Sequence, residues 1–263
     1  KMDILTSREN PTVKNLCKLL ASKKARREQG LFVTEGVKLC LEAFRSGVLV
    51  KQIFYTPESL EKYPEEMKYL LCQSPHATPI STGVAQKIST ASTPQGVFCL
   101  CNLLDNQKTL AKINSNGKYL ALCSLQDPGN MGTVIRSAEA FGIDGLIVTG
   151  DCPDIYSPKV LRSTMGSAFR LPIAVTDDLQ DLTARMRAAG VSVYGAALSE
   201  DSVPLTGLHF DGGALVLIGN EGNGLSAREQ ALCDQKVIIP MKGRAESLNA
   251  AGAAAVFLWE MTK

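Results

Sequence analysis

Histidine is scarce in this sequence of 263 residues, which contains only His76 and His209. The eight cysteines are spread over the whole chain without a CxxC pair. Neither the spacing of the histidines nor that of the cysteines matches a zinc site, so we predict that the protein binds no metal ion. Most of the cysteines should be reduced and buried as small apolar side chains. Any general base in an active site must then be a group other than histidine.

Long apolar runs are also lacking. No stretch reaches the roughly 20 apolar residues that a membrane span needs, and the first residues lack the apolar core of a secretory signal. Hydrophobic residues make up 45% of the chain and charged residues 21%, which is typical of a soluble globular protein. We therefore expect a cytoplasmic protein with no membrane partner.

Basic residues are concentrated at the amino terminus, although the net charge is only +2. Residues 1–30 carry eight Lys and Arg against three acidic residues. Such a block favours a polyanion partner, and nucleic acid ahead of membrane because few large aromatic residues accompany it. The alternative is a solvated helical face. The candidate nucleic-acid contacts are Arg8, Lys14, Lys18, Lys23, Lys24, Arg26 and Arg27.

Apolar strand patterns alternate with helical patterns along the chain. Asn10-Pro11 predicts the start of a helix over about residues 11–22, and Ser157-Pro158 the start of another through about Ala168. The polar segment 105–118 indicates a linker between a first α/β domain at 1–104 and a second α/β domain at 119–263. Strands separated by helices in the second domain predict a parallel sheet covered on both faces.

Two apolar runs in the second domain end in turns that suit a ligand site. Leu215–Ile218 leads into Gly219-Asn-Glu-Gly-Asn-Gly224, and Val237–Ile239 leads into Pro240-Met241 and then Ser247-Leu248-Asn249. In an open α/β sheet, ligands bind beyond the carboxyl ends of the strands. We expect these glycines to allow close approach of a ligand or a positive φ. The alternative is a tight loop between a strand and a helix, where Ser226–Glu229 predicts a capping box.

The glycine order also limits the ligand. GxxGxG differs from the dinucleotide order GxGxxG, and no P-loop lysine follows, so phosphate is not the favoured ligand.

One arginine lies within an otherwise apolar helical segment. Asn130 is placed to cap this helix, and Gly132 permits close packing on its first turn. Arg136 follows Val134 and Ile135. It is either a structural cation paired with Glu139 or Glu221, or a functional cation suited to phosphate.

Three segments together resemble the motifs of the SpoU (TrmH) family of RNA ribose 2′-O-methyltransferases. They are Asn130-x-Gly-x-x-x-Arg136, Ile218-Gly-Asn-Glu-Gly-x-Gly-Leu225, and Ile239-Pro-Met241 with Ser247-Leu-Asn249. They occur in the family's order, and a triple match is more specific than any single motif. Two segments of the first domain are Thr6-Ser-Arg-Glu-Asn-Pro-x-Val-Lys14 and Leu31-Phe-Val-Thr-Glu-Gly36. Through them it resembles the family's RNA substrate-binding domain, which is itself similar to a small RNA-binding ribosomal protein.

The resemblance implies an S-adenosylmethionine-dependent homodimer whose catalytic α/β domain has a trefoil knot. It implies catalytic roles for Arg136, Asn130, Glu221, Ser247 and Asn249. It also implies a cofactor site that contains Leu198, Gly219, Asn220, Gly224, Ile239, Met241 and Leu248. Arg136 would either lose a proton transiently or stay charged and orient a phosphate and the emerging alkoxide. Glu221 is its expected partner.

The function implied is methylation of a ribose 2′-hydroxyl in RNA, most consistent with 23S rRNA because the first domain resembles those of rRNA-modifying members. One alternative is a tRNA ribose methyltransferase. Another is an RNA-binding protein with an inactive methyltransferase fold, against which Arg136 and Asn249 argue. A nicotinamide-dependent oxidoreductase is disfavoured by the glycine order. The family commonly continues Ser-Leu-Asn with Val-Ser, whereas this chain has Ala250-Ala251, so Ala251 is assigned no role.

Overall fold

The chain forms two compact units in a computed structural model that describes residues 3–74, 76–105, 108–245 and 247–263. The first unit comprises Lys1–Leu104 and Asp154–Phe169, and the second comprises Asp105–Pro153 and Arg170–Lys263. The predicted division had one linker, at residues 105–118, whereas the units in the structure are interleaved along the chain. Lys1, counted in the basic block, and Asn106 and Gln107, counted in the linker, lie outside the described residues.

The first unit contains a mixed four-stranded sheet in the order β1-β4-β2-β3. Strand β4 is antiparallel to β1 and β2, and β3 is parallel to β2. The strands are β1 Leu31–Glu35, β2 Val50–Tyr55, β3 Ala77–Pro79 and β4 Val97–Asn102, and the helices are α1 Pro11–Ala21, α2 Lys23–Gln29, α3 Val37–Arg45, α4 Pro57–Lys62, α5 Pro64–Gln73 and α6 Thr82–Ile88.

Helix α1 begins as the sequence predicts. The Asn10 side chain accepts a hydrogen bond from the Thr12 N–H at 2.8 Å, and Pro11 occupies the first helical position, where its missing N–H costs nothing. Val13, Leu16 and Leu19 form the buried stripe of the helix. Lys14 and Lys18 are exposed.

Arg26 is buried, which corrects its assignment as an RNA contact. Its exposed fraction is 3%, and its guanidinium pairs with Asp154 at 2.6 Å. It also donates hydrogen bonds to the carbonyl oxygens of Leu19 and Leu20, at 2.5 and 3.1 Å. The prediction for Arg26 is wrong because these internal acceptors occupy the guanidinium and shield it from solvent.

The segment Asp154–Phe169 completes the apolar core of the first unit. The ring of Phe32 lies 4.7 Å from that of Tyr156 and 6.1 Å from that of Phe169, measured between centroids. The helix in this segment ends at Thr164, earlier than predicted, because Met165 and Gly166 both have left-handed backbone conformations, with φ of 53° and 93°.

The second unit contains a seven-stranded sheet in the order β7-β6-β5-β10-β8-β11-β9. Every strand pair in it is parallel, which confirms the prediction. The remaining strands are β5 Lys118–Leu122, β6 Gly145–Thr149, β7 Ile173–Thr176, β8 Ser192–Ala196, β9 Val203–Pro204, β10 Ala214–Ile218 and β11 Gln235–Ile238, and the helices are α7 Lys108–Ala111, α8 Pro128–Ala140, α9 Pro158–Thr164 of the first unit, α10 Leu179–Ala188, α11 Ala227–Ala231 and α12 Ala250–Thr262.

The strand order of this sheet changes direction at β5. Strands β6 and β7 lie on one side of it, whereas β10, β8 and β11 lie on the other. Helix α12 packs against α8, β10 and β5. Such a switch point, at the carboxyl edge of a parallel sheet, is where ligands bind in open α/β folds. No helix in the described part of the chain is long and apolar enough to cross a membrane.

We predict that Arg26→Ala lowers the free energy of unfolding by about 3 kcal/mol, because it leaves the partly buried Asp154 carboxylate without its counter-charge and the Leu19 and Leu20 carbonyls without their donor. Arg27→Ala is the matched control, since Arg27 is the exposed neighbour on the same helix and should change stability by less than about 0.5 kcal/mol. Differential scanning calorimetry of both variants measures the difference. Equal losses in the two variants would contradict the structural role of Arg26.

Candidate functional site

The glycine-rich loop after β10 folds back on itself. The Asn220 N–H donates to the Gly224 carbonyl at 3.1 Å, and the Gly224 N–H donates to the Asn220 carbonyl at 2.9 Å. A Cβ on Gly219 would lie 2.1 Å from the carbonyl carbon of Gly224, and Gly224 has a φ of +64°. The positive φ expected in the loop is present at Gly224. Gly219 is required by the loop's own backbone, a reason that the sequence did not indicate.

The side chain of Asn220 fixes this loop to the end of β5. Its Oδ1 accepts hydrogen bonds from the N–H groups of Gly222 and Asn223, at 2.9 and 3.2 Å. Its Nδ2 donates to the Ser124 carbonyl at 2.9 Å. The predicted capping box from Ser226 to Glu229 is also present, so both ends of the loop are held.

Glu221 bonds to the start of α8, not to Arg136 as expected. Its carboxylate accepts the N–H groups of Gln126 and Asp127 at 2.9 and 3.0 Å, and the Nδ2 of Asn130 at 3.2 Å. Partial burial alone would raise the pKa of Glu221, but the backbone N–H donors of Asp127 and Gln126 outweigh it and hold the pKa below its ordinary value. The charged carboxylate therefore suits its surroundings.

Asp127 caps α8, which corrects the assignment of Asn130 as the cap. The Asp127 side chain accepts the Asn130 N–H at 2.7 Å, and Pro128 is the first helical residue. The side chain of Asn130 is therefore free to bond elsewhere. Its Oδ1 accepts the Nδ2 of Asn249 at 2.9 Å, and Asn249 in turn caps α12 by accepting the Gly252 N–H at 2.9 Å.

These contacts form one chain of hydrogen bonds, Glu221–Asn130–Asn249. Each of the three motif segments contributes one member. The structure thus brings together three of the five residues that the resemblance implied to be catalytic.

Arg136 lies apart from this chain. It is exposed on α8, opposite the buried Val134, Ile135 and Ala138. It forms no hydrogen bond or ion pair with any residue that the structure describes. Its guanidinium therefore remains available to bind a ligand.

A cleft of about 320 Å³ lies at the carboxyl ends of β8, β10 and β11. All seven residues assigned to the cofactor site line it, as does Ser247. The complete lining is Ala196, Ala197, Leu198, Ile218, Gly219, Asn220, Glu221, Gly222, Asn223, Gly224, Leu225, Gln230, Val237, Ile238, Ile239, Met241, Ser247, Leu248, Ala250, Ala253 and Phe257.

Several of these lining residues were not predicted from the sequence. Ala250, Ala253 and Phe257 lie on one face of α12, and their spacing of three and four residues was the signal that could have revealed them. Three apolar side chains of the lining remain exposed: Leu198 at 75%, Leu248 at 42% and Met241 at 36%. Exposed apolar groups around a cleft are typical of a ligand site.

The predicted RNA contacts other than Arg26 lie at or near the surface of the first unit. Lys14 pairs with Glu9 at 2.7 Å, and Lys24 with Glu28 at 3.8 Å. Arg8 donates to the Gly83 carbonyl at 3.1 Å. Exposed ion pairs of this kind are weak, so a polyanion can replace their carboxylates. Lys18 and Arg27 are exposed, and Lys23 is half-buried.

Within the described residues, no cluster of three or more His, Cys, Asp or Glu side chains could hold a metal ion.

Comparisons with known proteins match both parts of the chain. The SpoU rRNA Methylase family matches residues 117–259, and the MRM3-like substrate binding domain matches residues 10–99. The chain is 31% identical over 261 residues to the 23S rRNA (guanosine(2553)-2'-O)-methyltransferase RlmP of Bacillus subtilis, covering 99% of each protein.

Two solved structures are similar over almost the whole chain. The AdoMet-bound rRNA methyltransferase from Sinorhizobium meliloti has a TM-score of 0.84 and 32% identity, covering 99% of this chain and 97% of that one. The SpoU methyltransferase AviRb from Streptomyces viridochromogenes, in complex with AdoMet, has a TM-score of 0.87 and 29% identity, covering 97% of each.

We predict that Glu221→Gln destabilises the second unit by about 1 kcal/mol at pH 7, a small value because the carboxylate is partly exposed and screened. Since the folded pKa lies below the ordinary 4.5, this contribution is fully present above about pH 4.5 and is lost as the pH falls through the folded pKa. Urea denaturation between pH 3 and 7 measures it. Glu200→Gln, at an exposed position, is the control, and a difference from wild type that persists at low pH would contradict the prediction.

Proposed function

Because the chain belongs to the SpoU rRNA methylase family, we propose that it transfers a methyl group from S-adenosylmethionine to a ribose 2′-hydroxyl of RNA, with 23S rRNA as the favoured substrate. One observation carries this proposal: a single cleft gathers all seven residues assigned to the cofactor. The hydrogen-bonded chain of Glu221, Asn130 and Asn249 adjoins it. Relatives named as 23S rRNA methyltransferases support the choice of RNA.

The cleft suits an adenosyl group in its chemistry. Its walls are mainly apolar, and the residues of the loop at Gly219–Gly224 add polar groups to its lining, as is common in sites for small molecules. Ile239, Met241 and Leu248 would pack against the bound cofactor. When bound, S-adenosylmethionine supplies an electrophilic methyl group.

We assign Arg136 as the catalytic residue that contacts RNA. The emerging alkoxide and the adjoining phosphate are both negative, and a guanidinium can donate to both. Glu221 is engaged with α8, so Arg136 keeps its donors for the substrate. In this proposal Arg136 stays charged and orients the reacting groups, the proton of the 2′-hydroxyl would pass to water, and the cofactor would leave as its neutral thioether.

The remaining motif residues position the site. Glu221 and Asn130 hold the glycine loop against α8, and Asn249 holds the start of α12. Ser247 lines the cleft, where its hydroxyl would bond to the cofactor or the ribose. Loss of these contacts should misplace the methyl donor relative to the hydroxyl.

The first unit supplies the extended RNA contact. Its cations Arg8, Lys14, Lys18, Lys23, Lys24 and Arg27 would neutralise phosphates away from the target nucleotide. The match of residues 10–99 to a substrate binding domain supports this role.

We also propose a homodimer and a knotted catalytic domain, as the family resemblance implies. Trp259 supports the dimer, because it is 56% exposed on α12 and lies edge-on to Phe141 at 6.0 Å between ring centroids. An exposed tryptophan of this kind is typical of a surface that a partner covers.

We predict that Gly219→Ala weakens S-adenosylmethionine binding at least about tenfold, because its Cβ would meet the backbone of Gly224 and displace the loop. Gly222→Ala is the matched control, since the nearest atom to its Cβ is Asn220 Oδ1 at 3.5 Å, an ordinary contact. Isothermal titration calorimetry measures both affinities. Equal affinities for the two variants would argue against this loop as the cofactor site.

We predict that Arg136→Ala lowers kcat for methyl transfer by at least about 100-fold while S-adenosylmethionine affinity stays within twofold of wild type. The assay transfers labelled methyl to protein-free large-subunit rRNA and to bulk tRNA, followed by alkaline hydrolysis. Because a 2′-O-methyl blocks cleavage at its own nucleotide, label in alkali-resistant dinucleotides identifies ribose methylation and the RNA class. Label in mononucleotides would instead identify base methylation, and near-normal turnover would exclude Arg136 as catalytic.

A further inference from the structure

Two cations lie in the loop between β11 and α12, which we call the β11–α12 loop, residues 239–249. Lys242 and Arg244 are both exposed. Neither forms a hydrogen bond or an ion pair with any residue in the described ranges. With Glu246 counted from the sequence, the loop carries a formal net charge of +1. Lys242 and Arg244 have no acidic partner among the described residues, so both can bind an anion.

Both ends of this loop are fixed at the cofactor cleft. Ile239 and Met241 line the cleft before the two cations, and Ser247 and Leu248 line it after them. The loop ends at Asn249, which bonds to Asn130 at 2.9 Å. Because successive Cα atoms are about 3.8 Å apart, the Cα of Arg244 lies within about 11 Å of those of both Met241 and Ser247.

The cleft itself has no positive group with which to hold RNA. Among the described residues that line it, Glu221 is the only charged side chain. A ribose whose 2′-hydroxyl reaches this cleft carries phosphates on its 5′ and 3′ sides, and negative charge so close to a carboxylate needs compensation. Arg136 is proposed to contact the phosphate beside the reacting hydroxyl, and Lys242 and Arg244 are two further cations that lie close in sequence to lining residues of the cleft.

We propose that Lys242 and Arg244 bind the phosphates that flank the target ribose and hold the RNA over the cofactor cleft. This inference rests on the proposed function and adds to Arg136 a further RNA contact in the catalytic unit. The arginine can donate two hydrogen bonds to one phosphate, whereas the lysine acts as a point charge. Both are positioning residues, because they act on the phosphates and not on the reacting hydroxyl.

The test compares wild type with Lys242→Ala/Arg244→Ala, using protein-free large-subunit rRNA as the probe. We expect the slope of log binding constant against log salt to become shallower by about 1.4, at about 0.7 for each phosphate contact to a single strand. We expect KM for this RNA to rise about tenfold, with kcat changed by less than threefold. Affinity for S-adenosylmethionine, measured by calorimetry, should stay within twofold.

Two further variants separate charge from loop structure. Lys242→Arg/Arg244→Lys retains both charges and should keep the wild-type salt slope. Arg228→Ala removes an exposed arginine from α11 of the same unit and should also leave the slope unchanged. An unchanged slope in the double alanine variant, or an equal change in Arg228→Ala, would overturn the proposal.

The outcomes also distinguish this inference from the proposed function. If wild type methylates rRNA but the double alanine variant keeps its slope, the phosphate contacts are wrong and the function stands. If wild type methylates neither rRNA nor tRNA while the slope still falls, the phosphate contacts stand and the proposed function fails.

Discussion

The carboxylate of Glu221 is the point on which the arrangement of the cleft depends. It accepts two backbone N–H groups at the start of α8 and the amide of Asn130. Asn130 is bonded in turn to Asn249 at the start of α12. Segments more than 90 residues apart are therefore held by one acidic side chain. A charged acceptor is well suited to this position because hydrogen bonds to an ionised group are stronger than those between neutral groups.

Local signals in the sequence were sufficient to predict most of the elements around the site. The apolar runs Gly145–Thr149 and Leu215–Ile218 are strands of the parallel sheet. Ser226–Glu229 forms the predicted capping box at the start of α11. These features depend on side-chain periodicity and on contacts three residues apart, which can be read from the sequence directly. The cap of α8 was also readable, because Asp127-Pro128 repeats the pattern of Asn10-Pro11, with a capping side chain before a proline at the first helical position.

Features that depend on distant partners could not be predicted in this way. Arg26 was predicted to contact RNA as part of the basic block, but its partner is Asp154, 128 residues away. Glu221 was expected to pair with Arg136, yet the backbone N–H groups of Gln126 and Asp127 donate to it instead. Backbone N–H groups occur at every residue except proline, so their competition with a side-chain cation is invisible in a sequence.

Because Asp154–Phe169 belongs to the first unit, a single cut in the chain cannot separate the two units. Cutting the chain after residue 104 would leave the Arg26 guanidinium without its partner Asp154. It would also leave the Phe32 ring without its contacts to Tyr156 and Phe169. The remaining fragment would carry Tyr156 and Phe169 with their ring partner Phe32 removed. Any exchange of the first unit would therefore have to include residues 154–169, which are encoded between the two parts of the second unit.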